Sequence, residues 1–346
     1  MKGLQWNKSQ STLKMVEAPV PEVKPETVLL KVSHCGVCGT DLHIMQHEFR
    51  SGQLVILGHE FSGTIVKVGT GVNNVAVGDK VVVEPNSMCD TCRFCRRGKP
   101  HCCQKCLPDT IGLMQNGGMA EYCLVPAKYV VKFPEALPMD KAALVEPMAC
   151  VVHGYEILGQ IPDGTRMLVM GSGIIGQLWI NMLHYRGFRD VTVVEVSEGR
   201  RQIVSNSGLG YRVLHPDDLQ AEFKNANMGE DGFDIVVDCT GNPRALEMAY
   251  GLLCSGATLL VFGCSPANSK LTIDPSLIQT RELKILGVNV SPYCFIKAVS
   301  LVNDMAANYL KFDKLGIKKY SLEQYETALT ELRAGEISKA MFCIDK

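Results

Sequence analysis

The chain lacks any bias of charge. Its 35 Lys and Arg stand against 36 Asp and Glu, a formal net charge of −1. No global field therefore favours nucleic acid or an anionic membrane, and neither is expected as a partner. Long hydrophobic runs are absent too: none approaches the roughly 18 residues of a membrane-spanning helix. The first residues, Met-Lys-Gly-Leu-Gln-Trp-Asn-Lys, hold no apolar core and no small-residue cleavage site, so no secretory leader is expected. No repeat or low-complexity segment is visible. What remains, at 46% hydrophobic and 21% charged over 346 residues, is an ordinary globular chain with room for two domains.

Cysteine is the residue in excess, at 15. In a secreted chain this count would suggest a disulfide framework. Here there is no leader, the chain is long, and four of the cysteines have metal-ligand spacing, so a reducing cytoplasm is expected. Cys123, Cys150, Cys239, Cys254, Cys264, Cys294 and Cys343 sit in apolar stretches and read as small core residues.

The patterning changes along the chain. Residues 1–150 carry short β-type runs (28–32, 62–68, 80–84) broken by turns such as Gly69-Thr70-Gly71 and Gly78-Asp79. They predict an irregular, mostly antiparallel β-domain. A helix is expected from near Asp140, where Leu144, Met148, Val151 and Val152 have helical spacing. From about 165, apolar runs at 167–170, 191–195, 235–239, 258–262 and 283–288 alternate with helical segments, the pattern of a parallel α/β sheet. Helices are then expected at 294–308 and 321–334, and a strand at 340–344. We therefore expect a nucleotide domain inserted into a β-domain, with boundaries at 1–150, 151–287 and 288–346.

Gly171-Ser172-Gly173-Ile174-Ile175-Gly176 ends a predicted strand and opens a predicted helix. Gly171 permits the tight turn, Gly173 lets the backbone approach a pyrophosphate, and Gly176 lets helix and strand pack closely. Ile174 and Ile175 start the helix whose N-terminus favours negative charge. The next strand ends in Glu195, placed to accept hydrogen bonds from a ribose 2′-hydroxyl and to repel a 2′-phosphate, so NAD is favoured. Arg200 and Arg201 follow closely and leave NADP as the alternative.

Cys89, Cys92, Cys95 and Cys103 form C-x2-C-x2-C-x7-C, a spacing suited to one tetrahedral Zn2+. Cys102 and Cys106 compete as the fourth ligand. Four thiolates leave the ion a net charge near −2, which Arg93, Arg96, Arg97, Lys99, His101 and Lys105 partly neutralise. Such a closed site has no open position and reads as structural. Upstream, Cys38 follows one predicted strand and His59-Glu60 another, both placed in loops. One thiolate, one imidazole and one carboxylate leave a fourth position open, as catalytic zinc requires.

Gly-Val-Cys-Gly-Thr-Asp-Leu-His (36–43), Gly-His-Glu-Phe-Ser-Gly (58–63), Val-Gly-Asp-Lys-Val (77–81), the four-cysteine loop, Gly-Gly-Met-Ala-Glu-Tyr (117–122) and Val-Glu-Pro (145–147) together resemble the zinc-containing medium-chain dehydrogenase/reductase family. The resemblance runs through the whole chain and is nearest to the sorbitol, xylitol, arabinitol, threonine and butanediol dehydrogenases. It implies a GroES-like β-domain carrying two zinc ions, one catalytic and one structural, and a doubly wound Rossmann domain carrying NAD. By residue-for-residue match it implies Cys38, His59 and Glu60 at the catalytic zinc. Glu146 would ligate zinc or hold its water, Thr40 would take the alcohol proton, and His43 would stand at the far end of that relay. The implied reaction moves hydride from a secondary alcohol of a polyol to NAD+; a butanediol-type or L-threonine-type enzyme, or an NADPH-dependent reductase, are the alternatives. A homodimer or homotetramer follows by the same analogy. The chain departs from the sorbitol type in two places. Gly287-Val288-Asn289-Val290-Ser291-Pro292-Tyr293 lacks that branch's Arg-Tyr pair, and Ile44 replaces a tyrosine after the relay histidine. Sorbitol itself is therefore not the expected substrate.

Overall fold

Valine-rich segments broken by glycine turns build a seven-stranded sheet. In the computed structural model, which describes residues 1–105 and 107–345, its order is Ile317–Tyr320, Lys339–Cys343, Thr27–Gly36, Glu60–Val68, Lys80–Val83 and Val130–Lys132. Tyr122–Pro126 also pairs with Thr27–Gly36. Every pairing is antiparallel except Ile317–Tyr320 with Lys339–Cys343. A three-stranded sheet of Thr12–Glu17, Lys2–Asn7 and Leu54–Ile56 shares its core: Leu4, Trp6 and Val55 pack in one cluster with Val28, Leu30 and Val32. The chain's end thus returns to its beginning, and this places Lys339 beside Gly36.

The second body is a six-stranded parallel sheet ordered Arg212–Leu214, Val191–Val194, Met167–Met170, Phe233–Asp238, Leu253–Val261, Lys284–Gly287. Met167–Met170 and Val191–Val194 are buried along their whole length, as strands covered on both faces must be. Successive side chains divide between two cores. Met167 and Val169 join the cluster under helices Val145–Leu158, Ile174–Tyr185 and Phe295–Met305; Leu168 and Met170 join the cluster with Leu246 and Tyr250. The strand order reverses between Met167–Met170 and Phe233–Asp238, and ligands of such sheets lie at the carboxyl ends of the strands there.

Some expectations shift in detail. The helix expected from near Asp140 is two, Met139–Ala142 and Val145–Leu158, and residue 150 falls inside the second. Pro147 is tolerated there because a first-turn residue needs no intrahelical N–H partner. Residues 39–45, expected as loop, form the short helix Gly39–Met45: Cys38 Sγ accepts from Thr40 N at 3.4 Å and Asp41 Oδ2 accepts from Cys38 N at 2.9 Å, a reciprocal cap. Of the cysteines expected in the core, Cys123, Cys254 and Cys294 are buried and Cys150, Cys239 and Cys343 partly so. Cys264 is exposed, because the chain has left the sheet after Val261. Cys35, at a strand end, is fully buried.

Candidate active site

The glycine turn sits where strand Met167–Met170 meets helix Ile174–Tyr185. Gly171 has φ +88°, which L-residues with side chains rarely adopt. A side chain at Gly176 would strike the Gly171 carbonyl, while one at Gly173, at the helix cap, would meet only Arg200 Nη1, at 3.9 Å. Glu195 lies at the end of the neighbouring strand and is 5% exposed. Its Oε2 accepts from Ser172 N at 2.7 Å and Ser172 Oγ at 3.2 Å, and its Oε1 from Ser197 N at 2.9 Å. It therefore braces the turn. Arg200 leans back toward Gly173 and donates from Nη2 to Ile337 O at 3.5 Å. Arg201 is occupied: Nη1 donates to the carbonyls of Glu195 and Val196 at 2.8 Å each, and Nη2 pairs with Glu198.

In the cysteine loop, the sulfur atoms of Cys89, Cys92, Cys95 and Cys103 lie within 4.8 Å of one another. Backbone N–H groups point at them, Cys92 N to Cys89 at 3.4 Å, Cys95 N to Cys92 at 3.5 Å and Lys105 N to Cys103 at 3.4 Å. The Thr91 hydroxyl is the largest of the influences drawing the Cys89 thiol below its ordinary value. Donors aimed at sulfur favour thiolates, the form that binds metal. Cys102, the competing ligand, is exposed and outside this group; Cys106 lies outside the described residues.

The second donor group joins Cys38, His59 and Glu60, again within 4.8 Å. Cys38 caps helix Gly39–Met45; His59 precedes strand Glu60–Val68, whose first residue is Glu60. Glu146 approaches from the first turn of Val145–Leu158, 8% exposed, and accepts from Cys150 Sγ at 3.8 Å. It stands outside the three-donor cluster, though its charge is felt at His59. Burial pushes the Glu146 carboxyl up to about 7 against the pull of His59, and burial likewise lifts Asp41 to about 6. Burial alone would lower the His59 imidazole, but Cys38, Asp41 and Glu146 outweigh it and hold its proton affinity well above the ordinary value. The site thus gathers buried acids, an imidazole and a thiol. A Zn2+ ion fits this donor set: soft sulfur, imidazole nitrogen and carboxylate oxygen, with room for an open position.

Three residues matter here that the sequence reading passed over. Asp41, wholly buried, places Oδ1 3.8 Å from His59 Nδ1, too far for a hydrogen bond but close enough for its charge to raise the proton affinity of His59. Glu48 Oε2 lies 2.6 Å from His43 Nδ1. Lys339, wholly buried, pairs with Glu60 and donates to Val37 O at 3.1 Å. Asp41 carried a signal, standing three residues after Cys38 in the position of a capping-box acid. Lys339 carried none, since only the sheet pairing brings it to Glu60.

Two separable donor groups predict two zinc ions per chain by elemental analysis. Cys95→Ser is expected to remove one and leave the other. A protein with one zinc, lost on replacing Cys38 and indifferent to Cys95, would show that the cysteine loop holds none.

Residues 24–135 match the alcohol dehydrogenase GroES-like domain, and residues 175–304 match the zinc-binding dehydrogenase model. The chain is 33% identical over 343 residues to D-arabinitol dehydrogenase 1 of Uromyces fabae, covering 98% of this chain and 96% of that protein. It is 32% identical over 338 residues to the L-threonine 3-dehydrogenase of Pyrococcus horikoshii, covering 95% and 94%. Among solved structures, a zinc-binding dehydrogenase of Sinorhizobium meliloti 1021 bound to NADP superposes with TM-score 0.89 at 30% identity, over 99% of this chain and 98% of that one.

Proposed function

The chain belongs to the zinc-containing medium-chain dehydrogenase/reductase family, in its polyol branch, and from that premise we propose that it oxidises a secondary hydroxyl of a short polyol to the ketone, with NAD+ as hydride acceptor. The observation that carries the substrate class is the pair of buried carboxylates, Glu60 and Glu146, beside Cys38 and His59. A pocket so lined suits a molecule with several hydroxyls, and it penalises analogues that leave its polar groups unpaired.

Cys38 and His59, with Glu60 or Glu146, would hold the catalytic zinc; Cys89, Cys92, Cys95 and Cys103 would hold the structural one. When bound, the catalytic ion lowers the pKa of the substrate hydroxyl. Thr40 and His43 stand three apart on one helix and so share a face. The Thr40 hydroxyl is 3.5 Å from Cys38 Sγ, and the His43 side chain is 26% exposed. Thr40 would accept the substrate proton while giving up its own hydroxyl proton, which His43, at the more exposed end of that helix face, would deliver to water. Asp41 sets a buried carboxyl group beside His59. The Gly171–Gly176 turn and the start of the following helix, at Ile174 and Ile175, seat the pyrophosphate, with Arg200 leaning over it. Glu195 holds the ribose.

The test is a substrate panel with NAD+ and NADP+, followed by absorbance of the reduced cofactor. Five-carbon polyols are expected to exceed ethanol in kcat/KM by about tenfold or more, the least that one unpaired buried polar group costs. If ethanol or benzyl alcohol has the higher value, the polyol reading fails. L-threonine and 2,3-butanediol belong in the panel. Threonine relatives match as much of the chain as the arabinitol enzyme does, and Val290-Ser291 stands where the sorbitol type has Arg-Tyr.

Cofactor choice is proposed to rest on Glu195, supported by the engagement of Arg201 in backbone and Glu198 contacts. Glu195→Ala is expected to raise KM for NAD+ about tenfold, the scale of one or two lost hydrogen bonds, and to relax rejection of NADP+. A wild-type preference for NADP+ would remove this role.

A reducing cytoplasmic setting suits a chain with many cysteines in metal-donor or core positions. No helix among the described residues is long and apolar enough to cross a membrane. A homodimer or homotetramer suits strand Lys284–Gly287, which ends the parallel sheet with one side unpaired among the described residues. Light scattering during gel filtration decides the subunit count.

A further inference from the structure

Lys339 is fully enclosed, and its nearest charge belongs to a candidate metal ligand. It opens strand Lys339–Cys343, which runs antiparallel to Thr27–Gly36, with Met341 opposite Gly36. Gly36 makes the meeting possible: any side chain there would strike both Glu60 Oε2 and the Lys339 stem. The ammonium spans this gap to Glu60 and also donates to Val37 O at 3.1 Å. Burying an ammonium is costly, and for packing alone an apolar residue of similar volume serves as well or better. The charge therefore needs a role that methionine cannot fill.

The donor set suggests one. Cys38, His59 and Glu60 lie close enough to share an ion, and Glu146 adjoins them. Four protein donors on one zinc make a closed, structural site; three leave the opening that a substrate needs. Building on the zinc-dehydrogenase reading, we propose that Lys339 is a positioning residue whose ammonium restrains the Glu60 carboxylate from completing the metal's shell, keeping one coordination position open. A carboxylate oxygen engaged by an ammonium is a weaker metal donor, and partners of this kind tune ligands they touch.

The experiment uses full-length protein with cobalt(II) in place of the catalytic zinc, with imidazole as a small probe of the open position. Visible d–d absorption reports binding. The wild type is expected to respond to imidazole. Lys339→Met frees Glu60, so the response should weaken or vanish, and kcat should fall about 10- to 100-fold, the usual cost of losing an outer partner of a metal site. Lys339→Arg should restore much of both. In a Glu60→Gln background, adding Lys339→Met should change kcat little further, because the two act as one unit. If Lys339→Met alone does not fold, the Glu60→Gln/Lys339→Met double variant, which removes both buried charges together, should fold and respond to imidazole. The proposal is overturned if Lys339→Met keeps the full response, if arginine rescues no better than methionine, or if the double variant stays silent. Failure of the dehydrogenase reading would show separately, as wild-type protein that takes up cobalt and binds imidazole yet oxidises no polyol.

Discussion

Cys38→Ser is expected to abolish turnover, by about 10³-fold or more, while the protein stays folded with one zinc per chain. The size follows from what a bound dication supplies: several kcal/mol of stabilisation for a developing negative charge, at about 1.4 kcal/mol per tenfold in rate. A serine hydroxyl is a poor substitute for a thiolate in a zinc shell. It would also lose the sulfur that accepts from Thr40 N, though the helix cap from Asp41 to Cys38 N would remain. The fold should survive because Cys89, Cys92, Cys95 and Cys103 form a separate donor group in their own loop. Elemental analysis and circular dichroism are the controls. A variant that keeps two zinc ions and more than about a tenth of wild-type kcat would show that Cys38 is not a ligand of the ion that matters.

That separation of two metal sites was legible in the sequence because ligand spacing is local. C-x2-C turns announce themselves within fifteen residues, and a glycine turn between a strand and a helix does so within six. The parallel strands were legible for a related reason: segments buried on both faces, such as Met167–Met170, read as unbroken apolar runs. Local pattern failed where a few residues were asked to decide a conformation by capping. Residues 39–45 have the composition of a loop, and the reciprocal hydrogen bonds of Cys38 and Asp41 make them a helix. It failed more completely for Lys339. Nothing near residue 339 marks it as a neighbour of Glu60; an antiparallel pairing between the last strand and the strand ending at Gly36 is what carries it there. Glu195 follows its strand as expected, but its contacts to Ser172 and Ser197, which stiffen the turn, depend on geometry that spacing does not encode.

Thr40→Ala is expected to lower kcat by about 10²- to 10⁴-fold, the range over which a positioned proton acceptor accelerates a reaction. Oxidation of an alcohol must shed the hydroxyl proton before or as hydride leaves carbon, and His59 and Glu60 beside Cys38 are buried. The Thr40 hydroxyl, 3.5 Å from Cys38 Sγ, is the group proposed to accept that proton. One helical turn on, His43 reaches solvent with its Nδ1 held by Glu48 at 2.6 Å. Thr40→Ser keeps the hydroxyl and should retain much of the rate. Because serine and alanine are both smaller than threonine, this pair separates the hydroxyl from packing. His43→Ala should cost less than Thr40→Ala, since water can serve at the outer end. Its loss should fall mostly on the acidic side of the pH profile, where hydroxide is too scarce to take the proton in its place. A solvent isotope effect that shrinks in neither variant, together with a Thr40→Ala enzyme as active as wild type at every pH, would mean the proton leaves by a route that bypasses this helix.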